Sequence, residues 1–110
     1  MTSSMDDPFA RQKALVSQFP RNELARFSLG KALYDAGDLL GAREHLSVAL
    51  SLKPDWMVVQ ILLGKCDLAE GRTSEAVQAF QRALKLAQDQ HHEGPQAELE
   101  DLLSELKAAG

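Results

Sequence analysis

The sequence contains few residues that could crosslink the chain or build an aromatic core. Cys66 is the only cysteine, so no disulfide can form within the chain, as is usual for proteins of a reducing compartment. Aromatic residues make up 5% of the sequence, and residues with strong β-propensity are scarce. Ala and Leu are abundant, and both lose little conformational freedom in a helix. We therefore predict an all-α protein.

Long hydrophobic runs and a secretory leader are also missing. No stretch of about 18 apolar residues is present, so we expect no membrane-spanning helix. Residues 1–7 contain no basic region followed by an apolar core, which excludes a typical signal peptide there. We expect these seven residues to be disordered and the protein to be cytoplasmic.

A positively charged surface stripe is not predicted either. The net charge is −4, divided into +1 over residues 1–87 and −5 over residues 88–110. Nucleic-acid binding needs clustered Lys and Arg to neutralise phosphates, so we expect no nucleic-acid partner. The acidic stretch at 88–110 is interpreted as the solvated face of a helix.

An internal repeat is the strongest pattern that the sequence does contain. Aligning the chain with itself at a spacing of 34 residues superimposes small residues on small ones and large on large. The identical pairs are Leu29 with Leu63, Gly30 with Gly64, Lys31 with Lys65, Gly37 with Gly71, Ala42 with Ala76, Ala49 with Ala83, Leu50 with Leu84, and Leu52 with Leu86.

Capping and breaking residues divide each repeat into two helices. In the first repeat Asn22 and Asp38 are suitable N-caps, Gly37 is suited to a left-handed helix end, and Pro54 stops the second helix. In the second repeat Asp55 and Thr73 are the candidate N-caps, and Gly71 is suited to the left-handed helix end. The connections are short, which predicts antiparallel neighbouring helices.

Shorter segments flank the two repeats. Asp7 followed by Pro8 is a good helix start, which predicts an N-terminal helix or half repeat over 8–20. We expect a loop from His91 to Pro95 and a capping helix over about 95–108. The apolar stripe of that last helix follows helical spacing through Leu99, Leu102, Leu103 and Leu106.

These residues give the chain a family resemblance. Residues 23–56 resemble a tetratricopeptide repeat through Leu29-Gly30, Leu33-Tyr34, Gly37, Ala42, Leu46, Ala49 and Pro54. Residues 57–90 resemble a second through Leu63-Gly64, Gly71, Ala76, Phe80 and Ala83. The resemblance implies a single domain over 8–110, built as a short right-handed superhelix of antiparallel helix pairs with about six helices.

The matched mid-helix glycines predict where helices approach each other. Glycine in a helix interior costs about 1 kcal/mol relative to alanine, so Gly30 and Gly64 indicate close crossings. We expect Ala42 and Ala76 to be the small residues opposite them, with Leu46 and Phe80 in the wider space beyond. Asp67 departs from the pattern, because Leu33 stands one repeat earlier; it either pairs with a Lys or Arg or marks a face open to water.

In proteins of the family that this chain resembles, the first helices of successive repeats line a concave groove that receives peptides or helices. A helical wheel places Ser28, Val58, Leu62 and Ala69 on that face, together with the eight residues chosen as the candidate site: Leu24, Phe27, Lys31, Tyr34, Asp35, Ile61, Lys65 and Leu68. The alternative is that Phe27, Ile61 and Leu68 belong to the core and that the two lysines are only solvated. Amphipathic side chains such as tyrosine commonly anchor interfaces.

The residue types that carry catalysis or bind metals do not occur in useful patterns. His45, His91, His92 and Cys66 lack paired metal-ligand spacing, and no phosphate-binding glycine loop or nucleophile elbow is present. We therefore expect no enzyme activity, no cofactor and no metal. The predicted function is binding of a peptide or helix of a partner protein. The alternative is a homodimer formed by repeat stacking, because two repeats are close to the lower limit for a stable stack.

Overall fold

The computed structural model describes residues 7–109, which form six α-helices and no strand. The all-α prediction is confirmed. The helices are α1 Ala10–Gln18, α2 Glu23–Asp35, α3 Leu39–Leu52, α4 Met57–Ala69, α5 Thr73–Asp89 and α6 Glu93–Ala109. Residues 1–6, which carry most of the predicted disordered segment, lie outside the described residues.

The chain divides into two compact units between Pro54 and Asp55. Unit 1 contains α1, α2 and α3, and in it α2 packs against both α1 and α3. Unit 2 contains α4, α5 and α6, and in it α5 packs against both α4 and α6. Each unit therefore consists of one repeat and one flanking helix.

The predicted helix ends of the first repeat are confirmed. The Asn22 side chain accepts a hydrogen bond of 2.9 Å from the Ala25 amide at the start of α2. Asp38 accepts one of 3.0 Å from the Gly41 amide at the start of α3. Gly37 ends α2 in the left-handed region with φ of 89°. Each side chain thus satisfies an amide that has no partner inside its helix.

The N-caps predicted for the second repeat are wrong, although its glycine terminator is confirmed. Trp56 precedes α4 and Arg72 precedes α5, and neither start has a side-chain capping hydrogen bond. Asp55 lies one residue too early to reach the free amides, and Thr73 is already the first helical residue. Gly71 has φ of 76° and ends α4 as predicted.

The flanking helices begin at positions other than those expected. Asp7 accepts hydrogen bonds from the Phe9 amide at 2.8 Å and from Nζ of Lys13 at 2.7 Å, within a turn that precedes α1. That turn delays α1 to Ala10 instead of residue 8.

The predicted loop from His91 to Pro95 is wrong beyond His92, because α6 begins at Glu93. His91 turns the chain with φ of 58°, and the Gln96 amide then donates to the His92 carbonyl at 2.9 Å. Pro95 is tolerated because it lies in the first turn, where a backbone amide would have no helical partner.

Small and aliphatic side chains fill the interior of each unit. In unit 1, the buried residues include Leu29 and Leu33 of α2 and Ala42, Leu46 and Ala49 of α3. In unit 2, one cluster joins α5 and α6 through Ala76, Phe80, Ala83, Ala87, Leu99 and Leu103. Leu102 and Leu106 pack partly against this cluster, which confirms the predicted apolar stripe of α6.

Both glycine crossings are present, but the residues opposite them differ from the prediction. A β-carbon on Gly30 would lie 2.8 Å from Cγ of Leu46, and one on Gly64 would lie 2.5 Å from Cε1 of Phe80. The large residues, and not Ala42 and Ala76, therefore meet the glycines. The missing side chains make room for a leucine and a phenylalanine.

Asp67 pairs with a basic residue, which was one of its two predicted outcomes. Its carboxylate lies 3.7 Å from Nε of Arg72, and its backbone carbonyl accepts a hydrogen bond of 2.8 Å from the Arg72 amide. Both contacts form across the turn that joins α4 to α5. The acid therefore helps to fix the connection between the two helices of the second repeat.

Candidate protein-binding surface

The outer face of α2 in unit 1 combines apolar and charged side chains. Leu24 is 63% exposed, which is high for a leucine in a helix packed on two others. Two turns further along, Lys31 is exposed and forms an ion pair of 2.9 Å with the exposed Asp35. Phe27 and Tyr34 lie half-buried on the same helix.

An apolar depression lies beside Leu24, where α1 meets α2. It has a volume of about 420 Å³ and is lined by Leu15, Phe19, Asn22, Leu24, Ala25 and Ser28. Leu15 is 40% exposed and Phe19 is 54% exposed. A helix of nine residues such as α1 has few apolar side chains to bury, and these two large ones are left partly uncovered. The helical-wheel assignment covered only the first helices of the repeats and so omitted Leu15 and Phe19. Their spacing of four residues, with Leu15 in α1 and Phe19 directly after its last residue, was the signal available in the sequence.

In unit 2 the predicted site residues of α4 fall into two environments. Lys65 is exposed, whereas Ile61 and Leu68 are half-buried and pack against the cluster formed by α5 and α6. Val58, which the helical wheel also placed on this face, is 45% exposed. The α4 face therefore contributes fewer free apolar atoms than the α2 face.

Equivalent positions of the two first helices nevertheless share one pattern. Leu24 and Val58 are one repeat apart, and both are exposed aliphatic residues. Lys31 and Lys65 are also one repeat apart, and both are exposed. Each first helix thus presents an aliphatic side chain and, two helical turns later, a lysine.

The remaining reactive side chains do not form a recognisable chemical site. Cys66 is fully buried, and His91 and His92 are exposed. Among residues 7–109, no three His, Cys, Asp or Glu side chains are grouped so that they could hold a metal ion. No helix in this range has the length and apolar character needed to cross a bilayer.

His45 occupies a polar contact inside unit 1. Its Nδ1 atom lies 3.0 Å from Nη1 of Arg26. Burial, and then the charge of Arg26, lower the pKa of His45, while Glu44 and Asp38 raise it by less. The ring is therefore held in its neutral form at pH values where an exposed histidine begins to charge.

Solved structures with the same fold include three small helical proteins. PcrH, in complex with the chaperone binding region of PopD, superimposes with a TM-score of 0.86 over 94% of this chain and 79% of that one, at 22% identity. BPP2914 from Bordetella parapertussis gives 0.79 over 99% and 91%, at 29% identity. A tetratricopeptide repeat domain protein from Salinibacter ruber gives 0.73 over 83% and 92%, at 18% identity.

Sequence comparisons agree with the structural ones. Residues 33–106 and residues 10–55 each match the tetratricopeptide repeat family. The TPR repeat-containing protein PA0015 of Pseudomonas aeruginosa is 40% identical over 79 residues, which cover 72% of this chain and 73% of that protein. Domains of this family are typically non-enzymatic modules for protein interaction. The resemblance seen in the sequence is confirmed, and the chain belongs to the tetratricopeptide repeat family.

Proposed function

We propose that this protein binds apolar polypeptide segments through the exposed face of the first helix of each unit, α2 in unit 1 and α4 in unit 2. One observation carries the proposal: an exposed aliphatic residue is followed two turns later by an exposed lysine at equivalent positions of both helices. These are Leu24 with Lys31, and Val58 with Lys65. Solubility alone does not explain why a large aliphatic side chain is exposed at the equivalent position of both repeats.

The apolar part of this surface is largest in unit 1. Leu24 is joined there by Leu15 and Phe19 around the depression between α1 and α2. Complete burial of such a side chain stabilises by about 1.5–3 kcal/mol, so covering three partly exposed ones contributes substantially to binding. Lys31 and Asp35 lie farther along α2 and would orient the partner more than they strengthen its binding.

The structural comparison supports a polypeptide partner. PcrH was solved in complex with the chaperone binding region of PopD, which is a segment of another protein. A fold superimposable on 94% of this chain can therefore hold such a segment. By analogy we propose the same kind of partner here, with the exposed apolar side chains as its principal contacts.

Affinity capture from a lysate of the source organism tests the proposal. We expect Leu24→Ser and Lys31→Glu with Lys65→Glu to reduce the amount of captured protein, because each removes part of the proposed contact surface. Lys85→Glu is the matched control, since Lys85 is an exposed lysine of α5 that faces Asp89 four residues later, as Lys31 faces Asp35.

Two results would contradict the proposal. One is undiminished capture by the variants of α2 and α4; the other is an equal loss of capture by Lys85→Glu. Light scattering of the purified wild-type chain is required alongside. A mass that rises with concentration, and that Leu24→Ser abolishes, would show that the exposed apolar face associates with a second copy of this chain instead.

A further inference from the structure

The guanidinium of Arg26 connects three segments of unit 1. Arg26 is on α2, and its Nε donates a hydrogen bond of 2.8 Å to the carbonyl of Pro20 in the connection between α1 and α2. Its Nη1 lies 3.0 Å from Nδ1 of His45 on α3. Since a guanidinium only donates, Nδ1 of His45 must accept, and the imidazole in this contact is neutral.

We propose that these two hydrogen bonds, here named the Arg26 bridge, form a pH-sensitive connection that holds α1 on α2 while His45 is neutral and loosens α1 when His45 is protonated. The proposal concerns the folding of unit 1 and does not depend on a bound partner. It adds a regulatory property to the molecule beyond the proposed binding of a polypeptide.

The α1 helix has few other interactions to hold it. It contains nine residues, its N-terminus has no side-chain cap, and Val16 is its only buried residue. Within unit 1 it packs on α2 alone. A helix of this length is unstable in isolation and depends on its tertiary contacts. The bond from Arg26 to Pro20 fixes the connection that follows α1 and so adds to the few contacts that keep α1 on α2.

Protonation of His45 would disturb both hydrogen bonds of the bridge. A protonated imidazole donates from both nitrogens, so Nδ1 could no longer accept from Arg26, and two cations would lie about 3 Å apart. Nη1 and Nε belong to one rigid planar guanidinium, so a displacement of Nη1 from His45 also tilts the Nε–H bond away from the Pro20 carbonyl. The change at α3 is thereby passed to the connection that precedes α2.

The charged surroundings set the pH range of the response. Partial burial and the charge of Arg26 on α2 hold the pKa of His45 below its ordinary value of 6.5. Glu44 of α3 and Asp38, the N-cap of α3, raise this pKa by less. In the unfolded chain the pKa returns to that ordinary value, so the unfolded state binds more protons in the window between the two values. Stability then rises with pH through this window, is complete above about 6.5, and is lost toward lower pH.

The second repeat provides an internal comparison. One repeat after Arg26 and His45 stand Gln60 and Ala79, and both are buried. Neither side chain binds a proton in the physiological range. The equivalent place in unit 2 therefore has no bridge of this kind, and the pH response is expected in unit 1 alone.

Nuclear magnetic resonance of the full chain tests the bridge. The measurement follows the ring of His45 and the hydrogen-exchange protection of the amides of residues 14–19 between about pH 8 and pH 5, corrected for the intrinsic exchange rate. His91→Gln with His92→Gln serves as the background, because it leaves His45 as the one titrating histidine of the chain. We expect protection of α1 to fall as the His45 ring titrates, while the amides of α5 remain protected.

Two further variants keep the proposal falsifiable. His45→Gln retains an acceptor for Arg26 but cannot be protonated at these pH values, so α1 should stay protected throughout. Arg26→Gln removes the bridge, so α1 should be less protected even at pH 8, and the pKa of His45 should rise. An unchanged pH response in His45→Gln, full protection of α1 in Arg26→Gln, or constant protection of α1 while His45 titrates would each overturn the proposal.

Discussion

At Gly64, α4 lies so close to α5 that a β-carbon would come within 2.5 Å of Cε1 and 2.8 Å of Cδ1 of Phe80. An aromatic ring fixed in a packed core cannot move away as the end of a flexible side chain could. At Gly30 the corresponding neighbours are Cγ and Cδ2 of Leu46, together with its backbone nitrogen at 3.2 Å. Glycine is thus required at both positions by the large residue opposite.

We predict that Gly64→Ala destabilises the protein by about 1–2 kcal/mol. Overpacking a core costs about 1–3 kcal/mol, which exceeds the gain of up to about 1 kcal/mol from the better helix propensity of alanine. Urea unfolding followed by circular dichroism measures the difference. Gly94→Ala is the control: Gly94 is helical with open space around it, so only the gain applies and stability should rise or stay unchanged.

The residue opposite each glycine shows where sequence reasoning ends at this scale. Repeat spacing identified Gly30 and Gly64 as crossing points. Glycine destabilises a helix interior, so its recurrence at the same position of both repeats needs a structural reason. It chose Ala42 as the contact of Gly30, wrongly, because Ala42 and Leu46 are both buried on α3 and lie four residues apart. Only the rotation of one helix about its axis relative to the other distinguishes them.

The two repeats differ in how their helices begin. In the first repeat, Asn22 and Asp38 each accept a backbone hydrogen bond at a helix start. In the second, α4 and α5 begin without a side-chain cap. The sequence offered plausible capping residues at all four places, but a cap functions only when it immediately precedes the helix, and a shift of one residue removes it.

From this difference we predict unequal costs of removing the capping candidates. Asn22→Ala and Asp38→Ala should each destabilise by about 1 kcal/mol, because each leaves an amide of the first turn without its partner. Thr73→Ala should cost less than about 0.5 kcal/mol, since Thr73 makes no capping bond and alanine favours the helix. Thermal unfolding of the three variants compares them directly. An equal loss for Thr73→Ala would restore this residue as a cap.

The α6 helix covers the core of unit 2 through two buried leucines. We predict that Leu99→Ala and Leu103→Ala each destabilise unit 2 by about 2–4 kcal/mol, since each removes buried methyl groups and leaves a cavity. Glu100→Ala, on the exposed side of the same helix, should change stability by less than about 0.5 kcal/mol. Hydrogen exchange at the amides of α5 reports the loss, and comparable effects of all three variants would contradict this packing.

For the molecule as a whole, sequence periodicity identified both repeats, the flanking helices and the family, because each depends on spacing within one stretch of chain. The candidate site was only partly accessible in this way. Exposure of Leu24 and Lys31 agrees with the helical wheel, but Leu15 of α1 and Phe19 directly after α1 lie in a segment that the wheel did not treat as part of the surface. The Arg26 contact with His45 joins residues 19 positions apart and has no counterpart in the second repeat, so no repeat pattern could indicate it.

Among the eight residues assigned to the partner surface, we expect substitution of the exposed lysines to change stability little and substitution of the half-buried apolar residues to reduce it. Lys31→Glu with Lys65→Glu is expected to change the free energy of unfolding by less than about 1 kcal/mol, because both lysines are exposed and an i,i+4 pair such as Lys31 with Asp35 contributes only about 0.5 kcal/mol. Ile61→Ala or Leu68→Ala is expected to cost about 1–3 kcal/mol, because both side chains pack against the cluster of α5 and α6. Urea unfolding of the lysine double variant and of each alanine variant measures these costs. A large loss of stability in the lysine variant would assign those side chains to the fold, whereas unchanged stability in both alanine variants would return Ile61 and Leu68 to the partner surface.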